Sequence, residues 1–401
     1  MNTTERLYLE NPYLTKLYAT VTNKRLSEGH CIVELDQTIF YPHLSGGQPR
    51  DLGTINDIEV INVIEENGKI LHFLNEDLPS GKVTLMVDWD TRFSHMQSHT
   101  AQHILSYACK KLFNLETVGF KISESYTTVD LATDFLSEKE IHLAEILTNS
   151  IIQTNLPIKC YAGDSSKFPE KKDIENTLGI LRIVEIEEID SMPCAGTHVK
   201  STGEVGCVKI LYTEKVNGKL RLYFLCGQTA LKDYHKKTLA TQHINQQLSA
   251  NTDTLIEKFD DFWAKYESLS LQNQKLKDDN LKYQSHFLLE HATPIGSYGY
   301  VSQLFYDSDV ASLKRISEVI TAKDNYIAVL GLISENKCHL IISCHPSVPL
   351  DCKELLNKVL PLLDGKGGGT KSFVQAGGNN VSAVEKIIQA LNQFIVTQLD
   401  Q

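Results

Sequence analysis

The sequence predicts an α+β protein in four successive parts: an N-terminal β-barrel (residues 1–88), an α+β domain around a metal-ligand set (89–227), a helical coiled-coil segment (228–290) and a C-terminal α/β domain (291–401). Three observations lead there. Short alternating stretches parted by glycine turns fill the first part, a periodic helix with two histidines one turn apart opens the second, and strand and helix patterns alternate through the last.

The barrel is read from CIVELDQTIFYP, DLGTINDIEVINVIEENGKILHFL and GKVTLMVDW, with turns at Gly46-Gly47, Asn67-Gly68 and Pro79-Ser80-Gly81. Its most distinctive loop is FYPHLSGGQPRDLG. There Gly46 and Gly47 allow a partner's close approach, and Gln48 and Arg50 offer groups for phosphate or sugar; a plain turn is the alternative.

The second part opens with Trp89–Phe113, predicted as one amphipathic helix whose apolar stripe is Ile104, Leu105, Ala108 and Leu112. His99 and His103 stand four residues apart on a neighbouring face, so both can reach one ion. On its own that spacing is more often a pair of partly buried, hydrogen-bonded histidines than a metal site. A second pair, Cys194 and His198, has the same spacing and lies in a tight turn marked by Pro193 and Gly196. Three imidazoles and one thiolate form a tetrahedral set that suits Zn2+ better than the oxygen-seeking magnesium or calcium. His95 offers a rival pair with His99, but a helix drifts by about 40° per four-residue step, and His95 is taken as a neighbour of the site, not a ligand. The helix is followed by paired strands at VGFKI and YTTVDLAT, a helix opened by a Ser137/Glu140 capping box, and further strands with an Asn217-Gly218 hairpin.

From residue 228 the chain turns helical and charged. Leu248, Leu255, Phe262, Leu269, Leu276 and Tyr283 fall at seven-residue steps, the pattern of a coiled coil that forms either an intramolecular hairpin or a dimer seam; the length of the pattern favours a homodimer. The final part places a glycine-rich loop, Gly365 to Gly369, after an apolar helix. It lacks the Gly-Lys-[Ser/Thr] spacing of a P-loop. Its amides with Lys366 and Lys371 can cradle RNA phosphates, or the segment can be a plain turn.

Composition narrows the class. With 401 residues and 42% apolar side chains the chain holds two or three domains with real cores. No apolar run is long enough for a membrane helix and no signal pattern opens the chain, so the expectation is a soluble, cytoplasmic protein with no membrane partner. Nine cysteines, odd in number and irregularly spaced, do not form a disulfide framework. A net charge of −11 disfavours indiscriminate coating of nucleic acid while leaving room for a local basic groove at Lys110, Lys111 and Lys121.

HTAQH together with CAGTH resembles the paired zinc motifs of the alanyl-tRNA synthetase editing domain and of the free-standing AlaX proteins. FYPHLSGGQPRDLGTI is similar to the glycine-rich barrel motif of that family, ETVGFKISESYTTVDL to the strands after its histidine helix, and GKGGGTKSFVQAGG to its DHH-associated C-terminal domain. The resemblance spans nearly the whole chain, in order, with no aminoacylation core before the barrel, which implies the long free-standing form.

It implies a zinc-dependent aminoacyl-tRNA deacylase, a carboxylic ester hydrolase that needs no ATP. Its substrate would be tRNA(Ala) mischarged with Ser, and with Gly as a second candidate. His99, His103, Cys194 and His198 would be the zinc ligands and the catalytic centre. Thr197 or nearby amides would stabilise the oxyanion, and Thr100 would hydrogen-bond the serine hydroxyl unless it bonds its own helix backbone. Four protein ligands leave no open metal position, and no general base is assigned. The implied tRNA contacts are Gly46, Gly47, Gln48, Arg50, Lys366, Gly367, Gly368, Gly369 and Lys371, and the implied dimer forms through the coiled coil and C-terminal region. Gln102, Ala195 and the Gly119–Lys121 strand depart from the synthetase pattern at positions that bear on amino-acid discrimination, not on the metal. The alternatives are a threonyl-type editor and a non-catalytic tRNA-binding module with a structural zinc; a DHH phosphoesterase is excluded, because no Asp-His-His run occurs.

Overall fold

The computed structural model describes residues 4–27, 29–43, 47–164, 180–306, 308–334 and 336–399. The chain divides into two units, Met1–Ile244 and Asn245–Gln401.

In the first unit β1 (Glu5–Arg6) runs into the one-turn helix α1 (Leu7–Glu10). The hairpin β2 (Lys16–Ser27) and β3 (His30–Leu35) follows, then β4 (Gln37–Thr38), which pairs parallel with β1. β5 (Gly53–Ile55), β6 (Ile58–Glu66), β7 (Lys69–Leu74) and β8 (Lys82–Val87) complete a barrel closed in the order β2-β3-β7-β6-β5-β8. Two-residue turns fix its registers: Asn56-Asp57 and Asn67-Gly68 all have positive φ, as tight hairpins require. The alternate residues Val33, Leu35, Ile55, Val63, Ile70, Leu74 and Leu85 fill the interior. One polar group sits among them. His72 is fully buried, 2.8 Å from Thr38 Oγ1 through Nε2 and 3.3 Å from the Val33 carbonyl through Nδ1.

The helix predicted over Trp89–Phe113 spans those residues as α2. Asp88 caps its start by accepting from Thr91 N, and Asn114, in the left-handed region, ends it. Met96, Ala101, Ile104, Leu105 and Cys109 pack against β10 (Thr127–Leu131) and β15 (Lys219–Cys226) and against α3 (Glu138–Gln153). Leu112 departs from the predicted stripe: the last turn runs past the core and Lys110, Lys111 and Leu112 are exposed. Around α2 lie a four-stranded sheet in the order β14-β15-β10-β9, with β9 (Thr117–Ile122) and β14 (Val208–Val216), and a three-stranded sheet of β11 (Ile158–Asp164), β12 (Ile180–Ile186) and β13 (Asp190–Pro193). The capping box at Ser137 and Glu140 is present.

The helical region is not one continuous coil. α4 (Gly227–Leu248) stops, and α5 (Leu255–Glu290) begins after a six-residue break. Ser249 is left-handed there, and the Asn251 side chain accepts from the amides of Asp253 and Thr254, a local bond that competes with helix continuation. The heptad from Leu248 to Leu255 therefore crosses a turn. On α5 itself Phe262, Leu269, Leu276 and Tyr283 are exposed, whereas Leu281, Leu288 and Leu289 pack into the second unit's core.

That core surrounds a six-stranded sheet in the order β16-β17-β18-β19-β21-β20, from β16 (Thr293–Ile295), β17 (Tyr298–Phe305), β18 (Tyr326–Ser334), β19 (Lys337–Cys344), β20 (Gly365–Gly369) and β21 (Phe373–Gly378). α6 (Val310–Thr321) covers one face, and α7 (Cys352–Leu363) and α8 (Val384–Leu399) the other. The predicted glycine-rich loop is in fact the edge strand β20. Glycine is required at alternate positions because β21 backbone occupies the space a Cβ would take at Gly365, Gly367 and Gly369. All nine cysteines are free, and among the described residues no helix is long and apolar enough to cross a membrane.

Candidate metal centre

Four side chains from two distant segments converge in the first unit. α2 presents His99 and His103 on successive turns, and the turn after β13 presents Cys194 and His198. All four are buried, and their potential ligand atoms lie within 4.8 Å of one another. The Cys194 Sγ is 3.3 Å from His99 Nε2 and 3.3 Å from His198 Nε2. The group could hold a metal ion, and His95 stands outside it.

The fit to a cation is supported by the far side of each imidazole. His99 Nδ1 is 3.1 Å from Gln48 Oε1, His198 Nδ1 is 3.1 Å from Thr100 Oγ1, and His103 Nδ1 is 3.3 Å from Asp190 Oδ2. Each ring thus has an outer oxygen partner for Nδ1 and keeps Nε2 for the centre, the arrangement that fixes tautomer and orientation in metal-binding histidines.

The four groups also tune one another. Burial alone would raise the Cys194 thiol, but the charges of His99 and His198 and hydrogen bonds from His103 and His198 hold it well below the ordinary thiol value. Burial lowers His198 to about 3. Burial acts the same way on His103, but hydrogen bonds to Asp190 and Cys194 overcome it and raise that ring to about 9. Ligation needs Cys194 as thiolate and the rings neutral, so an ion bound there would displace the proton that Asp190 and Cys194 favour on His103.

Local structure holds the Cys194–His198 turn from behind. Arg182 Nη1 donates to the carbonyls of Cys194 and Gly196, both at 2.8 Å. At Gly196 a Cβ would overlap the His99 ring. Neither Arg182 nor Asp190 is among the residues read from the sequence, and their only signal is a charged residue in or beside the apolar strand β12.

The remaining predicted site residues separate. Thr100 is buried with its hydroxyl against His198, and it accepts from Val199 N at 3.4 Å; it does not bond its own helix backbone. Thr197 donates its amide to Gln48 Oε1 at 3.0 Å, and its hydroxyl lies against the same side chain, so that amide is not available to an oxyanion. Gln48, expected at a phosphate, is fully buried against His99 and Thr197. Arg50 donates to the carbonyls of Asp51 and Val60. Gly47 has φ +78° and faces the Phe120 ring, and Gly46 lies outside the described residues. In the second unit Lys366, Gly367, Gly368, Gly369 and Lys371 are exposed, and a groove of about 600 Å³ runs along Val310, His339, Lys366, Gly367 and Gln375. Of the predicted basic groove, Lys110 is paired with Glu116 at 2.9 Å.

The family described as the threonyl and alanyl tRNA synthetase second additional domain matches residues 181–223, which include Cys194 and His198, and the DHHA1 domain matches residues 298–397. The chain is 33% identical to the alanyl-tRNA editing protein AlaX-L of Pyrococcus horikoshii, over 92% of this chain and 94% of that protein. It is 27% identical to the alanyl-tRNA editing protein Aarsd1 of Rattus norvegicus, over 94% of this chain and 91% of the relative. It is also 27% identical to the alanine–tRNA ligase of Pyrococcus abyssi, over 98% of this chain but only 44% of the ligase. Among solved structures, the C-Ala domain of Aquifex aeolicus alanyl-tRNA synthetase matches with a TM-score of 0.25 and 15% identity, over 27% of this chain and 98% of that domain.

Proposed function

This chain belongs to the AlaX-L type of alanyl-tRNA editing proteins, and we propose that it is a zinc-dependent deacylase acting in trans in the cytoplasm on Ser-tRNA(Ala), with Gly-tRNA(Ala) as a second substrate. The observation that carries the reading is the convergence of His99, His103, Cys194 and His198 with an oxygen partner behind each imidazole. Three nitrogens and one thiolate favour zinc over magnesium or calcium. Bound there, zinc would supply a fixed positive charge and Lewis acidity beside the ester.

The reaction adds one water across the ester, releasing the amino acid and the free ribose hydroxyl of the tRNA. Much of the rate can come from positioning, which the chain's buried residues provide. Gln48, Thr100 and Asp190 hold the three rings, and Arg182 holds the turn that carries Cys194 and His198. Thr100 and Thr197 act in this reading by orienting the centre.

The proposal keeps the four-part division at 88, 227 and 290, with residues 291–401 as reader of the tRNA. The acceptor end is alike on every tRNA, so identity must be sensed elsewhere, and exposed Lys366 and Lys371 beside the β20 backbone offer phosphate contacts. Pairing of two copies through α5 is proposed from its exposed Phe262, Leu269, Leu276 and Tyr283.

Deacylation of Ser-, Gly- and Ala-tRNA(Ala) by the purified full chain tests the reading. Ser-tRNA(Ala) should be cleaved and Ala-tRNA(Ala) spared. Cys194→Ala should lose most of the zinc by elemental analysis, with activity falling on the order of a thousandfold, beyond the loss expected for an outer partner. Protein that retains stoichiometric zinc yet leaves Ser-tRNA(Ala) intact overturns the substrate assignment.

A further inference from the structure

Gln48 belongs to the barrel part of the chain, 51 residues before His99, yet it is wholly buried against the metal group. Its Oε1 accepts from His99 Nδ1 at 3.1 Å and from Thr197 N at 3.0 Å, and its Nε2 donates to Thr197 Oγ1 at 2.9 Å. One side chain therefore touches both halves of the ligand set: a ligand itself on α2, and the residue directly before the ligand His198.

The segment that carries Gln48 is fastened close by. Asp51 accepts from Arg92 Nε at 2.9 Å and from Arg92 Nη2, and its Oδ2 also accepts from Tyr41 N at 2.6 Å. Arg92 and His99 are seven residues apart, two turns along one face of α2. The segment is thus pinned to the ligand helix at two points, and the Phe120 ring packs between Gly47 and His99, its centroid 5.3 Å from that of His99.

We infer that Gln48 is a positioning residue for the metal, holding His99 with its proton on Nδ1 and Nε2 directed at the ion while it locks the Cys194–His198 turn through Thr197. An amide oxygen can only accept, so it selects the Nδ1–H tautomer, and an imidazole protonated on Nε2 would be unable to ligate through that atom. The barrel is on this view a structural part of the metal site. The inference rests on the metal reading of the proposed function and is independent of the substrate.

The test uses the full chain with Gln48→Met, which removes the acceptor at similar size, and Gln48→Glu, which keeps it. Zinc affinity is read by chelator competition, and the site's geometry by visible absorption of the cobalt-substituted protein. Gln48→Met should bind zinc roughly 10–100-fold more weakly and alter the cobalt spectrum. Gln48→Glu should bind at least about as tightly as the parent, since a carboxylate accepts the same proton. Gln48→Met with parental zinc affinity and cobalt spectrum overturns the inference. So does Gln48→Glu with weakened affinity, which remains decisive if Gln48→Met does not fold. A parent chain that takes up neither zinc nor cobalt removes the metal reading and this inference together. Metal uptake that responds to Gln48 while Ser-tRNA(Ala) stays intact removes only the substrate assignment.

Discussion

The buried histidine–cysteine group and the glycine strand offer opposite kinds of chemistry. His99, His103, Cys194 and His198 are all buried side chains, and the far nitrogens of the three imidazoles have partners in Gln48, Thr100 and Asp190. Along β20 the absence of side chains is the feature, and the strand is exposed throughout. A buried centre depends on many interlocking neighbours, so it is sensitive to single changes remote from the ligands. An exposed strand that carries Lys366, with Lys371 just beyond its end, depends on additive, screened contacts, each of modest size. Perturbations should therefore be large and cooperative in the first region, small and salt-dependent in the second.

The largest effect is expected at Arg92. Its guanidinium is almost fully buried, paired with Asp51, and also donates to the carbonyls of Pro12 and Ile39. Arg92→Met keeps the aliphatic stem but leaves a buried carboxylate without its counter-charge, a loss of about 3–5 kcal/mol. Adding Asp51→Asn should recover part of it. The readout is the urea midpoint followed by Trp89 fluorescence in a Trp263→Phe background, which leaves Trp89 as the one tryptophan. An unchanged midpoint would mean that the first region tolerates loss of its central latch, and the contrast would fail.

What the sequence revealed and hid follows the same division. The limits of α2, the Ser137/Glu140 capping box and the Asn217-Gly218 hairpin were legible because caps, periodicity and turn residues act within a few positions. The convergence of the two pairs was legible because a helix brings residues four apart onto one face, as with His99 and His103, and because Pro193 and Gly196 mark a tight turn at Cys194 and His198. Gln48, Asp190 and Arg182 were not, since their partners lie 51, 87 and at least 12 residues away and no local pattern encodes such a contact. Gln48 reads as a loop group for phosphate or sugar because its glycine neighbours have the pattern of a turn. The heptad pattern concealed the break before Leu255, where Asn251 draws local amides out of helix geometry. β20 was hidden because glycines carry no alternation to mark a strand.

A second way to sharpen the contrast is His72 in the barrel core. Burial lowers its pKa to about 4, and in the neutral form Nδ1 donates to Val33 O while Nε2 accepts from Thr38. The folded state therefore binds the proton less well than the unfolded chain, whose histidine titrates near 6.5. Stability from this group is complete above about pH 6.5 and is lost as pH falls toward 4, by about 3 kcal/mol over that window. His72→Gln has no proton to take up, so urea midpoints of the two proteins should approach or cross as the pH drops. Parallel pH profiles would show that His72 does not contribute.

The smallest effects belong to the second region. If Lys366 and Lys371 contact phosphates, each replaced by Ala should reduce the slope of log K against log salt by about 0.7–0.9, and the pair by about 1.5. At salt near 0.1 M, taking 1 M as reference, that corresponds to roughly thirtyfold weaker tRNA binding for the pair. The saturated turnover rate should change little, because binding lost equally from ground and transition states raises KM and leaves kcat. Competition between Ser-tRNA(Ala) and Ser-tRNA(Ser) at several salt concentrations gives the reading. A double lysine variant with an unchanged salt slope would mean that β20 does not touch the tRNA. The exposed strand would then need another partner, while the assignment of the buried centre would stand.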